Sequence, residues 1–123
     1  MPHEDYRVHE VPWDLDGDGK PEHQVLRGCG ATGNCDRLLY LTGAGCAHYA
    51  GILAGSLMIR LPAKSHGLPD LATYWVNGCG GQEGVATHLS FDGATYRAIT
   101  TTQCPCGDQP DAGPRPASCP PWE

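Results

Sequence analysis

An aspartate-rich stretch near the N-terminus constrains the fold of this chain more than any other feature. Residues 14–22 read Asp-Leu-Asp-Gly-Asp-Gly-Lys-Pro-Glu, with carboxylates at loop positions 1, 3, 5 and 9 and a glycine at position 6. A hard cation takes about six to eight oxygen ligands, and a tight turn with a conformationally free glycine brings alternate side chains to one point. The stretch therefore predicts a calcium (Ca²⁺) site with these ligands: Asp14, Asp16, Asp18, Glu22 and the backbone carbonyl of Lys20.

The residues after the loop indicate that a strand follows it, and not a helix. An EF-hand carries a glutamate at loop position 12, where this chain has Val25. Pro21 sets the backbone just before Glu22, and the residues that follow alternate between polar and apolar. The alternative interpretation is a solvated acidic turn, because Asp-Gly pairs also occur in ordinary turns.

Over residues 14–22 the chain resembles the short aspartate-rich loops of FG-GAP and VCBS-type repeats. Such repeats hold calcium between two strands of an extracellular β domain. The resemblance implies a secreted, calcium-binding module with a structural or binding role, such as adhesion-like recognition of a protein or a glycan. It does not extend to a mapped binding site.

The turn-forming residues predict short strands rather than long helices. The chain has 17 glycines and 11 prolines among its 123 residues, which is enough length for one domain. Bounding Gly, Pro and Asp residues mark candidate strands at residues 6–11, 23–27, 38–41, 48–53, 56–61, 71–76, 87–91 and 95–100. We therefore predict an all-β or β-rich α+β domain made of small antiparallel sheets.

We also predict two related units, at about residues 13–61 and 62–102, within a single domain, 1–102, with convergent turn chemistry in a Gly-rich β protein as the alternative. Gly28-Cys29-Gly30 parallels Gly78-Cys79-Gly80, and further matches follow in the same order. The second unit lacks the acidic residues of the loop, so we expect one calcium site. The two units resemble incomplete propeller blades, which FG-GAP repeats form. Two blades cannot close a propeller, so we expect a sandwich, a packed pair of sheets or a small barrel. A Cys- and Pro-rich irregular tail covers residues 103–123.

Seven cysteines predict an oxidising compartment and a disulfide-stapled domain. The candidates are Cys29, Cys35, Cys46, Cys79, Cys104, Cys106 and Cys119. The flexible loop between Cys29 and Cys35 suggests that these two cysteines pair. A disulfide between Cys46 and Cys79 would join the two units. Cys119 could pair with either cysteine of the Cys104-x-Cys106 motif, where we also expect the odd thiol.

Charge and hydropathy exclude two classes of partner. The net charge is −6 and basic residues are not clustered, so neither nucleic acid nor an anionic membrane surface is expected to bind. No apolar run is long enough for a transmembrane helix. The chain opens on polar residues without an export signal, and we expect that Met1 replaces a removed signal. The predicted location is secreted, periplasmic or at the cell surface.

Two other functions remain open from sequence. A small thiol-dependent enzyme could use Cys35 or the odd thiol with His66 or His88, although no catalytic signature surrounds these residues. A copper or zinc carrier could use His3 and His9 or the cysteines, although the Cys-x5-Cys and Cys-x-Cys spacings are not typical of zinc sites.

Two tryptophans are candidate ligand-facing aromatics. Trp13 precedes the calcium loop and could either pack beneath it or, with Tyr74 and Trp75, form a sugar-binding face. Tyr74 and Trp75 are neighbours on a predicted strand, so their side chains point to opposite faces of the sheet. Only one of them can therefore be exposed on a given side.

Overall fold

The computed structural model describes residues 6–8, 13–15, 17, 19, 22–42, 46–106 and 115–122. Within these residues the chain forms eight β-strands and no α-helix, which confirms the predicted all-β class. The strands are β1 (Tyr6–Arg7), β2 (His23–Cys29), β3 (Cys35–Leu41), β4 (His48–Gly55), β5 (Leu57–Ser65), β6 (Leu68–Gly78), β7 (Glu83–Phe91) and β8 (Tyr96–Cys104), with a 3-10 turn at Cys79–Gly81. No helix in the described part is long and apolar enough to cross a membrane.

The strands form two antiparallel sheets. One has three strands in the order β2-β3-β4, and the other has five in the order β1-β5-β6-β7-β8. The strands predicted between residues 23 and 100 all fall on observed strands, most of which are longer than predicted. Of the predicted opening strand 6–11, residues 6 and 7 form β1, and residues 9–11 lie outside the described residues.

Two boundaries differ from the sequence prediction. Strand β5 was expected to complete the first unit, but it pairs with β6 in the five-stranded sheet. The predicted tail began at residue 103, whereas β8 continues through Cys104 because Gly84 and Val85 of β7 extend the ladder opposite it. The chain thus passes from one sheet to the other at Ser56, between β4 and β5.

The two predicted units contain equivalent three-stranded meanders, β2-β3-β4 and β6-β7-β8. The pairing of β2 with β3 shifts register between Leu26 and Gly28. The pairing of β6 with β7 shifts in the same way between Val76 and Gly78, fifty residues later. The correspondence between the units therefore includes strand order and the position of a β-bulge, which bends a strand locally.

The main core lies between the two sheets. The buried side chains come from both sheets and from the segment before β2: Val8, Trp13, Leu15, Leu39, Ala50, Leu53, Met58, Leu68, Leu71, Leu89, Phe91 and Tyr96. Burial of such apolar surface contributes roughly 25 cal/mol per Å². This packing makes the fold a two-layer sandwich, one of the architectures expected from sequence.

A second, smaller core covers the opposite face of the five-stranded sheet. Ala72 and Tyr74 of β6 alternate with Leu71, so successive side chains enter different cores. Residues 115–122 cover this outer face, with Cys119 and Trp122 buried against it. The part of the predicted tail that the structure describes is irregular in backbone but packed on the domain.

Candidate functional site

The aspartate-rich stretch forms a closed loop between β1 and β2. The backbone N–H of Glu22 donates a hydrogen bond to the carbonyl of Trp13 at 3.1 Å, which joins the two ends of residues 14–21. This closure brings Asp14 and Glu22, the first and last of the predicted calcium ligands, to the same end of the loop. The other three, Asp16, Asp18 and Lys20, lie outside the described residues.

The carboxylate of Asp14 organises the loop from inside. The backbone N–H of Gly17 donates to Oδ1 at 2.9 Å, and the N–H of Gly19 donates to Oδ2 at 2.7 Å. Both glycines have positive φ, +78° and +86°, a conformation that other residues adopt only with strain. Gly19 occupies position 6, where the sequence pattern required such freedom. The loop therefore curls around Asp14.

Glu22 is an unusually buried acidic residue, with 5% of its surface exposed. The backbone N–H of Thr42 donates to its Oε2 at 3.1 Å. The charge of Glu22 also acts on Tyr96, whose hydroxyl donates a hydrogen bond to the carbonyl of Pro69 at 2.8 Å. Burial raises the pKa of Tyr96, and the charges of Asp70 and Glu22 raise it further. Burying a carboxylate is costly unless hydrogen bonds or a cation compensate for the lost water.

Within the described part of the chain, no three His, Cys, Asp or Glu side chains meet as a metal-binding group. The loop contributes two carboxylates to that part, which differ in environment. Asp14 is half-buried and hydrogen-bonded within the loop, whereas Glu22 is buried at the sandwich edge. Oxygen donors of this kind are the ligands that a hard divalent cation prefers.

The disulfides follow a pattern that the sequence predicted only in part. Cys29 pairs with Cys35, as expected, and Cys104 pairs with Cys119, one of the two options considered. The suggested Cys46–Cys79 staple does not form, since Cys79 pairs with Cys106 and Cys46 is a free, exposed thiol. The odd thiol is therefore not in the Cys104-x-Cys106 motif.

This pattern removes one of the alternative catalytic arrangements. Cys35 is consumed by a disulfide and cannot act as a thiolate nucleophile. His88 hydrogen-bonds a carboxylate on the neighbouring strand, and His66 occupies a turn with a positive φ of 50°. Of the proposed copper ligands, both His3 and His9 lie outside the described residues.

The two candidate ligand-facing tryptophans have different environments. Trp13 is only 4% exposed, with Tyr6 edge-on at 5.0 Å and the Arg60 guanidinium 5.1 Å from its ring centre. Trp13 is therefore a core residue and does not belong to an exposed face. Trp75 is 40% exposed, whereas Tyr74 is buried on the opposite side of the same strand.

The outer face of the three-stranded sheet carries an aromatic row that the sequence analysis missed. His23, Tyr40 and Tyr49 lie opposite one another on adjacent strands, with ring centres 6.0 Å and 5.9 Å apart. The next row along the strands is aliphatic, formed by Val25, Leu38 and Ile52. We call these six residues the aromatic face. Strand alternation was the available signal, but the pairing register was needed to align them.

A buried polar group on the other sheet was also missed. The carboxylate of Asp70 on β6 hydrogen-bonds two side chains of the neighbouring strands. The Ser65 hydroxyl donates to Oδ1 at 2.8 Å, and His88 Nε2 lies 2.8 Å from Oδ2. Asp70 is 4% exposed, so these two bonds compensate for much of its lost hydration.

Comparisons of the chain with family models, with curated proteins and with solved structures found no match. The function is therefore inferred from the loop, the disulfides, the aromatic face and the buried polar groups of the chain itself. Because the sandwich architecture hosts many unrelated functions, it does not by itself indicate one.

Proposed function

We propose that this chain is a calcium-stabilised, disulfide-bonded binding or structural module of an exported protein, without catalytic activity of its own. The observation that carries the proposal is the closure of the aspartate-rich loop by the Glu22–Trp13 hydrogen bond. This bond brings together the two ends of the loop, which carry Asp14 and the buried Glu22, and residues 16 and 18 within the loop are further aspartates.

Calcium fits the chemistry of this loop. Four carboxylates between residues 14 and 22 repel one another, and a divalent cation would neutralise half of their charge. Asp14 is already held by the amides of Gly17 and Gly19, which reduces the ordering that binding must supply. A bound ion would order the segment between β1 and β2 and thereby stabilise the edge of the main core.

The disulfides support an exported protein. Six of the seven cysteines are paired in three disulfides, which indicates an oxidising, extracytoplasmic environment. We propose a secreted, periplasmic or cell-surface location. Calcium is abundant outside the cell, where even modest affinity suffices to fill a structural site.

The aromatic face supports recognition of a protein rather than a glycan. Tyrosine rings that are partly exposed bury large area at small entropic cost, and interface cores are rich in such residues and poor in charge. The adjoining row of Val25, Leu38 and Ile52 adds aliphatic surface that sugar hydroxyls would not favour. Both Tyr49 and Ile52 are exposed although apolar, so they are available to a partner.

Thermal melts of the non-reduced protein test the calcium part of this proposal. If calcium binds with a dissociation constant of about 10 µM, 1 mM free calcium would stabilise the fold by about 2.7 kcal/mol. We expect the melting temperature in calcium to be several degrees higher than in EDTA. Magnesium should not reproduce this increase, because it resists losing its water ligands. Equal melting temperatures in calcium and in EDTA would contradict a structural ion.

A further inference from the structure

A cavity lies between the outer face of the five-stranded sheet and the C-terminal segment 115–122. Its volume is about 240 Å³. Ile59, Ala72 and Ala86 of the sheet form the floor, and Trp122 of the C-terminal segment forms part of the roof. His88 and Thr100, paired across β7 and β8, supply polar groups to the wall. None of these residues belongs to the calcium loop.

The roof of the cavity is fixed to the sheet by covalent and polar bonds. The Cys104–Cys119 disulfide ties the segment to the end of β8. Arg115 donates hydrogen bonds to the carbonyls of Pro120, Pro105 and Gln82 at 2.7, 2.8 and 2.9 Å. The Trp122 indole N–H donates to the carbonyl of Ser118 at 2.9 Å. The cavity is therefore preformed, which lowers the entropic cost of filling it.

The hydrogen bonds of Asp70 determine what His88 can offer to a ligand. Asp70 accepts from the Ser65 hydroxyl through one oxygen and lies 2.8 Å from His88 Nε2 through the other. A carboxylate can only accept, so Nε2 carries the proton of this bond. Its Nδ1 is then the ring nitrogen left to contact a ligand, because within the described residues His88 makes no other side-chain hydrogen bond.

Size and charge narrow the class of molecule that would fit. A cavity of roughly 150 Å³ holds benzene, whereas pockets that bind drug-sized ligands have volumes of about 300 Å³ or more. At about 240 Å³ this cavity suits one substituted ring. The chain carries a net charge of −6 and the Asp70 carboxylate lies 2.8 Å from His88 Nε2, so an anionic ligand is disfavoured.

We propose that this cavity binds an uncharged phenol-sized molecule whose hydroxyl forms a hydrogen bond with His88 Nδ1. The ring would pack against Ile59, Ala86 and Trp122, and the hydroxyl would reach the polar wall. This site is independent of the calcium loop, so ligand binding here can succeed or fail irrespective of metal binding.

NMR titrations with p-cresol and with toluene test the site, since the two probes differ by one hydroxyl. We expect p-cresol to shift the amide signal of Ala86 and the indole N–H signal of Trp122 saturably. Because one hydrogen bond distinguishes the probes, p-cresol should bind roughly three- to tenfold more tightly than toluene. Absence of saturable shifts at these signals, or equal affinity for the two probes, would overturn the proposal.

Two matched variants locate the hydroxyl contact. His88→Leu should weaken p-cresol binding roughly three- to tenfold while leaving toluene binding unchanged. His48→Leu, an identical substitution at an exposed position on the other sheet, should leave both affinities unchanged. An unaltered p-cresol affinity in folded His88→Leu would overturn the assignment. If His88→Leu does not fold, the comparison of the two probes on the parent chain still decides the outcome.

Discussion

The side-chain amide of Asn34 pairs with the backbone of Val76 as a strand residue would. Its Nδ2 donates to the Val76 carbonyl at 2.8 Å, and the Val76 N–H donates to its Oδ1 at 2.9 Å. Asn34 is buried in the loop between β2 and β3, whereas Val76 belongs to β6 of the other sheet. One side chain thus ties a hairpin tip of the three-stranded sheet to the end of a central strand.

Replacing Asn34 by aspartate should destabilise the fold strongly, although the two side chains have nearly the same shape. A carboxylate cannot donate to the Val76 carbonyl, and it would place a buried charge beside that oxygen. We expect urea unfolding to report a loss of about 2–4 kcal/mol. Thr32→Val, which removes only a neighbouring acceptor of the same amide, should cost less than about 1 kcal/mol. Similar losses in both variants would contradict this role of Asn34.

Gly55 marks a second close contact with β6. A Cβ added there would lie 2.3 Å from the Tyr74 carbonyl oxygen, and the residue has a φ of +138°. Gly55→Ala should therefore cost roughly 3–5 kcal/mol in chemical unfolding, because both backbone strain and overlap oppose it. Gly28→Ala is the control, since its Cβ would meet open space and its φ is ordinary. Comparable losses in the two variants would argue against the close approach.

The turn aspartate Asp92 should titrate at unusually low pH. Hydrogen bonds from the backbone amides of Thr95 and Ala94, followed by the Arg97 guanidinium, lower its pKa to about 2 from an ordinary 3.8. A carboxyl NMR titration should show this value. Because the amides contribute more than the guanidinium, the Asp92 pKa in Arg97→Ala should stay well below 3.8. Full restoration to the ordinary value in that variant would contradict the order of causes.

The sign of this shift sets a pH window for stability. The Asp92 pKa is lower in the folded state, so its charged form favours folding above about pH 4. The contribution is lost as the pH falls from about 4 to about 2. In urea unfolding, Asp92→Asn should therefore lose less stability across this window than the parent chain does.

The disulfide pattern predicts one reactive thiol per chain. A thiol reagent added to the unreduced, unfolded protein should label Cys46 alone, and Cys46→Ser should abolish labelling with little change in stability. Replacing Cys104 and Cys119 together by serine should cost about 3 kcal/mol, because that bond closes a loop of 15 residues. Labelling of a second cysteine in the parent would contradict the pairing.

The strands were predictable from sequence because their signals are local. Glycines and prolines bound each strand, and Asp92-Gly93 marks the hairpin between β7 and β8. The turn of the aspartate-rich loop was likewise encoded locally, by Gly17 and Gly19 with their positive φ. Pairing of Cys79 with Cys106 depends instead on tertiary arrangement. Strands β6 and β8 both run antiparallel to β7, so their C-terminal ends lie at the same end of the sheet. Cys79 follows the end of β6, and Cys106 follows the end of β8.

The buried polar group and the cavity beside it depend on strand register, which the sequence pattern does not supply. Asp70 reaches His88 because Leu71 pairs with Leu89 on the neighbouring strand. A shift of one residue would turn His88 to the other face of the sheet. The roof of the cavity also depends on how residues 115–122 fold back onto the sheet, and no hydrophobic periodicity in the sequence predicts that path.

Calorimetric titration of calcium into metal-stripped, non-reduced protein tests the central claim most directly. We predict one calcium ion per chain, with a dissociation constant between about 1 µM and 1 mM. Asp14→Asn should weaken binding at least about tenfold, because a charged ligand is lost from the site. Asp92→Asn alters another aspartate that accepts backbone amide hydrogen bonds, and it should bind calcium as the parent does. Absence of binding heat in the parent, or undiminished affinity in Asp14→Asn, would contradict a calcium-stabilised module.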